Sequence, residues 1–276
     1  MARHKILTFT VMYFIQAWTL GVDSKMVHLR QPGLNSPIPL DMVPNSVDDM
    51  YDGCTKQMYN KVQKEYLEHE NNREGIFKQA WMNAEKCARK AKSNSKGKLT
   101  HDHIKAICAY TAGFPKIYPV FNQAVRTKRT EYTTSFQFHS LHFLLTDAIR
   151  LLKLNQQTCH TTYRRTNMEF EGEVNQIIRF GFFASSSLEK GISKKFGEKS
   201  CFDINTCFGA DLKSFPKMGN HEKEVLIPPY EVFKVTAVMM KVNDENLWCD
   251  FVYKLESIKL PESNLNCSIF KKPIIN

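Results

Sequence analysis

Near Cys159 the spacing of the apolar residues changes, and the change limits the chain to folds in which helices come first and strands follow. Upstream, Met58, Tyr59, Val62 and Tyr66 recur at intervals of three and four, and Leu141, Leu144, Leu145, Ala148, Ile149 and Leu152 do so more strongly. Residues 47–154 therefore read as amphipathic helices, with Thr133, Thr134 or Ser135 capping the last one. Downstream come short β-rich runs bounded by turn residues, at 161–164, 176–183, 201–208, 224–227, 232–240 and 247–255. The expected fold class is α+β. No Pro/Gly linker separates the halves and no internal repeat occurs, so one domain of about 245 residues is expected, its helical N-terminal part packed on a β-rich core. The lysine-rich stretch 86–98 reads as a solvated loop, since no aromatic platform for a nucleic acid accompanies its charges.

Composition narrows the class further. With 42% hydrophobic and 24% charged residues in 276, the chain is globular rather than disordered or collagen-like, and its formal +10 charge favours anionic ligands without choosing among them. The first 24 residues stand apart from the fold. Arg3, His4 and Lys5 precede an apolar run over 6–20, which ends in small or polar Gly21, Val22, Asp23 and Ser24, the layout of a secretory signal peptide. That run falls short of the roughly 20 residues that span a bilayer. Residues 263–276, with Asn264, Asn266, Lys271 and Lys272, lack the hydrophobic tail of a GPI signal, so the domain, residues 25–276, is expected to be released without a membrane anchor.

Eight cysteines form an even set suited to an oxidising compartment, and no Cys-x-x-Cys pair is present, so disulfides are favoured over a zinc cage. Sequence alone leaves their pairing open. The one Asn-x-Ser/Thr sequon, Asn266-Cys267-Ser268, has an expected disulfide partner at its centre, which argues against glycosylation there. His101 with His103, and His139 with His142, have no cysteine or carboxylate set beside them, and no metal site is expected.

Three features of the β half stand in chain order: Tyr163-Arg164-Arg165, then Phe183-Ala184-Ser185-Ser186-Ser187-Leu188, then Glu222-Lys223-Glu224-Val225-Leu226-Ile227-Pro228-Pro229-Tyr230. Singly, each suits an ordinary surface charge, loop or strand. On one strand, Glu222 and Glu224 would project from the same face about 7 Å apart. Such a pair is useful where one carboxylate stabilises a developing cation while the other takes a proton.

An arginine, a serine motif and a Glu-x-Glu in this order resemble the signature of the vertebrate ecto mono-ADP-ribosyltransferases. Asp48-Asp49-Met50-Tyr51-Asp52-Gly53-Cys54 and Thr206-Cys207-Phe208-Gly209-Ala210 resemble further family segments, and the likeness covers about residues 40 to 270. Two positions depart from it: Ser186 stands where Thr or Ala is common, and Arg165 where glycine often follows the arginine. The resemblance implies a single ADP-ribosyltransferase-like domain with an NAD-binding core. It also implies transfer of ADP-ribose from NAD, used as cosubstrate with no permanently bound cofactor, to arginine side chains of extracellular or cell-surface proteins. Arg164, Ser185, Glu222 and Glu224 would be catalytic, and Tyr163, Arg164 and Phe196 would bind NAD. Cys54 with Cys267 and Cys159 with Cys207 match family disulfides. Cys87 with Cys108 and Cys201 with Cys249 are assigned from their shared halves of the chain, and a monomer is expected.

A guanidinium with a pKa above 12 is a poor nucleophile, so its attack needs a highly electrophilic sugar carbon and a nearby base. A fixed carboxylate stabilises an oxocarbenium-like cation, and the resemblance implies that Glu224 does so here, with Glu222 deprotonating the acceptor, Ser185 orienting Glu224 and Arg164 offering its planar fork to the diphosphate. No Gly-x-Gly-x-x-Gly occurs, so the dinucleotide is not held in a Rossmann manner. Two alternatives stay open, an NAD glycohydrolase and an inactive secreted binding protein of the same fold. N-terminal sequencing of protein from the medium is expected to start between residues 22 and 25; recovery only from cells, by phosphatidylinositol-specific phospholipase, would contradict release.

Overall fold

The computed structural model describes residues 36–93, 99–191, 196–212, 215 and 223–271, so the expected signal segment, residues 1–24, and Glu222 lie outside the described residues. Helix α1 (Thr55–Lys61) passes through a π-helical turn (Val62–Tyr66) into α2 (Leu67–Asn72). Then come α3 (Ile76–Ser93), α4 (His101–Tyr110), α5 (Tyr118–Thr127) and α6 (His139–Lys153). Phe77, Ala80, Trp81, Ala84 and Ala88 form one buried stripe along α3, and the small alanines let α4 approach closely enough for Cys87 to bond Cys108. This stripe overturns the loop expected over 86–98: residues 86–93 continue α3, because their apolar face is needed to cover α4, and 94–98 lie outside the described residues. Thr100 caps α4 in a capping box with His103. Helix α6 begins later than its expected caps. Residues 133–135 lie in turns, and the first turn of α6 is met instead by the carboxylate of Glu70, which accepts the Ser140 N–H at 3.2 Å.

The strands are β1 (Ile38–Pro39), β2 (His160–Thr166), β3 (Phe170–Glu171), β4 (Ile177–Arg179), β5 (Ala184–Ser187), β6 (Ser200–Thr206), β7 (Ala210–Asp211), β8 (Glu224–Ile227), β9 (Val232–Met240) and β10 (Phe251–Ser257). Eight form one sheet in the order β4-β9-β10-β6-β2-β5-β8-β7, while β1 pairs with β3. Within that sheet β10 and β6 run parallel and the other pairs antiparallel. The serine run, which reads as a loop by composition, is strand β5, because its main chain pairs with β2 on one side and β8 on the other. Helices and sheet share one core, in which Phe121 and Tyr110 from the helices meet Phe183 just before β5. This is the α+β domain expected from the change of period.

All eight cysteines are paired: Cys54–Cys267, Cys87–Cys108, Cys159–Cys207 and Cys201–Cys249. Cys54–Cys267 ties the N-terminal segment to the C-terminal turn, and closing so long a loop restricts the unfolded chain most. Asn266 of the sequon accepts the Asp52 N–H and donates to the Asp52 carbonyl, so its carboxamide is engaged at both ends. His103 and His142 are held by hydrogen bonds inside the fold. His103 Nδ1 accepts the Thr100 N–H and its Nε2 lies 3.1 Å from the Asp147 carboxylate, a neighbour invisible in the linear sequence. His142 Nε2 donates to the Val47 carbonyl, so its Nδ1 accepts the Tyr51 hydroxyl at 2.7 Å.

Burial gives the helical layer a pH signature. It raises the Glu70 carboxyl to about 8, against opposing hydrogen bonds from Ser140, and lowers His139 to about 3 and His142 to about 4. A raised carboxyl binds its proton more tightly folded than unfolded, so Glu70 stabilises the fold at low pH and that contribution is lost as pH rises from about 4.5 through 8. The two histidines act oppositely, but only below their unfolded pKa near 6.5. Between pH 6.5 and 8, wild-type stability should therefore fall by about 1 kcal/mol per pH unit relative to Glu70→Gln. Chemical denaturation at several pH values measures this, and parallel curves would remove Glu70 as the source.

Candidate active site

Arg164 points from β2 into the core, where only 5% of the residue stays exposed. Its Nη1 donates to the Ser185 carbonyl at 2.5 Å, and its guanidinium stands 5.6 Å from the ring of Phe182 and 5.9 Å from that of Phe180. Burial lowers the guanidinium to about 10; Tyr110 and Glu224 favour its charge and Arg126 opposes it. Register assembles the rest. Tyr163 pairs with Ser187 across β2 and β5, and Ser187 pairs with Glu224 across β5 and β8, so the three motifs lie on adjacent strands though 61 positions separate Tyr163 from Glu224 (224 − 163). Glu224 is 3% exposed, and its charge is felt by both Arg164 and Tyr110. The Ser185 hydroxyl is buried beside that of Tyr110.

The helical layer holds the serine strand in place. Tyr110 on α4 donates to the Phe183 carbonyl at 2.5 Å, and Asn122 on α5 donates to the same carbonyl at 3.1 Å and to the Tyr110 hydroxyl at 3.0 Å. Burial chiefly, with Glu224 adding, pushes the Tyr110 hydroxyl up to about 12 and keeps it a neutral donor. Just upstream, Gly181 adopts φ +65°, and a Cβ there would lie 2.6 Å from the side chain of Val43, so only glycine admits the N-terminal segment at this point.

A second guanidinium belongs to the site and was not anticipated from sequence. Arg126 on α5 lies 4.7 Å over Phe182, is lowered to about 10 by burial, and has an Nε without a hydrogen-bond partner among the described residues. Arg126, Arg164, Phe180 and Phe182 line a cavity of about 40 Å³ that also borders Asp41 and Arg179. The available signal was Asn122, a polar residue on the apolar stripe of Phe121 and Val125, marking the inward side of the helix that carries Arg126.

Other expected site residues fall differently. Tyr163 lies edge-on to Trp248 at 6.0 Å with Lys190 over its ring, so strand alternation turns it away from the face that Arg164 enters. Arg165 follows Tyr163: its Nη1 donates to the Trp248 carbonyl at 3.2 Å and its guanidinium lies 4.6 Å over the indole, so its bulk avoids the pocket of Arg164. Ser186 donates to the Val225 carbonyl at 3.1 Å, which accommodates the departure at that position. Phe196 is half-buried in a helical turn, followed by Gly197 at φ +118°, where a Cβ would strike Asn167. Lys223 has φ +42° and β8 begins only at Glu224, so the same-strand argument for Glu222 and Glu224 does not extend past Lys223.

Two buried guanidinium groups in an aromatic pocket suit a dianionic diphosphate, and a buried carboxylate beside them suits a developing cation. No cluster of metal-ligating side chains occurs among the described residues. Residues 40–249 match the family model for NAD:arginine ADP-ribosyltransferase. The chain is 37% identical over 209 residues to the erythroblast NAD(P)(+)--arginine ADP-ribosyltransferase of Gallus gallus, covering 72% of this chain and 67% of the relative. It is 36% identical over 243 residues to T-cell ecto-ADP-ribosyltransferase 1 of Mus musculus, covering 85% and 79%. A crystal structure of a mutant of the eukaryotic mono-ADP-ribosyltransferase ART2.2 in complex with NADH superposes with a TM-score of 0.71 at 33% identity, covering 84% of this chain and 99% of that one.

Arg164→Lys keeps the charge but loses the planar fork and the bond to Ser185. Nicotinamide release from NAD should fall by a factor on the order of 10 to 100 with little change in thermal midpoint. Unchanged release would exclude the guanidinium from the reaction.

Proposed function

The chain belongs to the NAD:arginine ADP-ribosyltransferase family, and from that membership we propose how its residues divide the transfer of ADP-ribose from NAD to arginine. The meeting of Arg164, Ser185 and Glu224 on the adjacent strands β2, β5 and β8 carries the reading: Arg164 donates to the Ser185 carbonyl, and the charge of buried Glu224 acts on Arg164. Arg164, with Arg126 beside it, holds the diphosphate of NAD, and the rings of Phe180 and Phe182 keep water from those charges.

The bond between the ribose C1′ and the nicotinamide nitrogen breaks with its electron pair going to nicotinamide, which leaves neutral. The cation left on the sugar is stabilised by Glu224, whose carboxylate Ser185 orients. Glu222 receives the incoming guanidinium and takes the proton it sheds as its nitrogen bonds to C1′. Phe196 packs on nicotinamide, and Tyr163 supports the strand that bears Arg164.

Four disulfides and ecto-enzyme relatives place the chain in an extracellular or cell-surface setting. Among the described residues no helix is long and apolar enough to cross a membrane. Within that setting we assign residues 1–24 to a cleaved signal peptide and 25–276 to a monomeric ADP-ribosyltransferase domain acting on arginine-bearing extracellular or cell-surface proteins.

The two glutamates separate the chemistry. Glu224→Gln should lower nicotinamide release and ADP-ribosylagmatine formation together, by a factor on the order of 100 or more. Glu222→Gln should abolish transfer to agmatine while leaving measurable NAD hydrolysis, because water attacks so electrophilic a carbon without a base. Both products are followed side by side in wild type and variants. Equal loss of both activities in Glu222→Gln, or unchanged hydrolysis in Glu224→Gln, would overturn the division.

A further inference from the structure

A cavity of about 740 Å³ opens on the helical side and shares no lining residue with the pocket around Arg164. It lies between α2, the turn over 133–137 and the C-terminal turn after Cys267. His139, the first residue of α6, borders it with 6% exposure, its ring stacked on Tyr66 at 4.4 Å. Ser268 and Ile269 of the C-terminal turn line it as well.

The charges select the kind of occupant. Arg73 and Lys271 stand exposed at the mouth, whereas Lys61 is held by Glu65 at 2.5 Å. Glu70 beneath is spent on the first turn of α6, and burial, which raises it to about 8, keeps it mostly uncharged near neutrality. The floor therefore does not repel an anion that the mouth attracts. The wall of Thr133, Thr134, Ser135 and Gln137 offers hydroxyl and amide groups in both donor and acceptor sense.

We propose that this cavity binds an anionic sugar, a carboxylated or sulfated glycan unit. The volume fits a mono- or disaccharide within the roughly 300–1,000 Å³ of ordinary ligand pockets. The polar wall would meet several ring hydroxyls at once, and Arg73 with Lys271 would take the acid group in charge-assisted hydrogen bonds. A nucleotide fits less well, since a stacked base needs an open aromatic face, and the Tyr66 ring is stacked by His139 and has the Lys61 ammonium 4.9 Å over it. The proposal does not depend on the division of catalytic roles, because the two cavities are separate.

Calorimetric titration of the full chain with N-acetylneuraminic acid, a sulfated uronate–hexosamine disaccharide, glucose and sodium sulfate tests it, with wild type and the exposed double variant Arg73→Gln/Lys271→Gln. At least one acidic sugar should bind, glucose at least tenfold more weakly, and the double variant should lose about tenfold in affinity, the order expected for a hydrogen bond to a charged group. Nicotinamide release should be the same in both proteins, and the His139 ring resonances of wild type should shift on binding. A sialylated oligosaccharide binding more tightly than the free acid would identify a glycan chain as the natural source, and equal affinity would identify the free sugar acid. Absence of binding by both acidic sugars, equal binding by the double variant, sulfate alone binding as tightly as the sugars, or displacement of the sugar by NAD would each overturn the assignment.

Discussion

The molecule is organised around a guanidinium that never meets solvent. Arg179, at the end of β4, donates to the carboxylate of Asp48 at 2.7 Å, to the carbonyls of Val43 and Glu262 at 3.2 and 3.0 Å, and to that of Met42. The two side chains are fully buried, and Asp48 also accepts the Leu265 N–H at 2.9 Å. Three segments distant in sequence meet at this pair: the N-terminal strap, the edge of the sheet and the C-terminal turn. Removing one partner would leave the other charge buried alone, a loss of about 3–5 kcal/mol. The pair also sets the wall of the cavity around Arg164, which Arg179 borders together with Arg126.

The contrast among these three arginines separates structure from function. Arg179 is surrounded by acceptors supplied by the protein. Arg164 makes its bond to Ser185 and otherwise faces aromatic rings, and Arg126 lies over Phe182 with its Nε unpaired among the described residues. Burial lowers both to about 10, which still leaves them cationic at neutral pH. Glu224 favours the charge of Arg164 and Asp41 that of Arg126, so the protein offsets part of the repulsion between the two guanidinium groups, and the diphosphate proposed to bind there would offset more of it. The binding site and the cost of forming it thus have one physical origin.

A second buried network secures the helices to the same strap. Asp49 accepts from the Tyr132 hydroxyl and from the main chain of Tyr51 and Cys267, while Tyr51 reaches His142 on α6. Burial raises the Asp49 carboxyl to about 6 despite those donors. Consecutive Asp48 and Asp49 therefore face opposite ways, one toward the sheet through Arg179 and one toward the helices, with Cys54–Cys267 closing the arrangement covalently. Positions that read in sequence as a family segment prove to be the joint between the two layers.

Much was legible in the chain itself. The period of the apolar residues separated helices from strands because burial repeats every 3.6 residues in one and every two in the other. The β-rich composition of short runs bounded by turn residues located β8 and β9 to the residue, and the even cysteine count implied disulfides that the structure contains. Composition misled where tertiary partners override it: the serine run is a strand because β2 and β8 supply its hydrogen bonds, and the lysine-rich end of α3 is helical because its alanines cover α4. The order of Arg164, Ser185 and Glu224 was readable as a motif, but their meeting was not, since it follows from strand register across 61 residues, the separation of Tyr163 from Glu224 (224 − 163). Likewise Arg126 and Arg179 are two basic residues among 38 in the sequence; only packing decides that Arg179 is saturated by the protein while Arg126 keeps an Nε unpaired among the described residues, because hydrogen-bond partners are assigned by distance in space and not by distance along the chain.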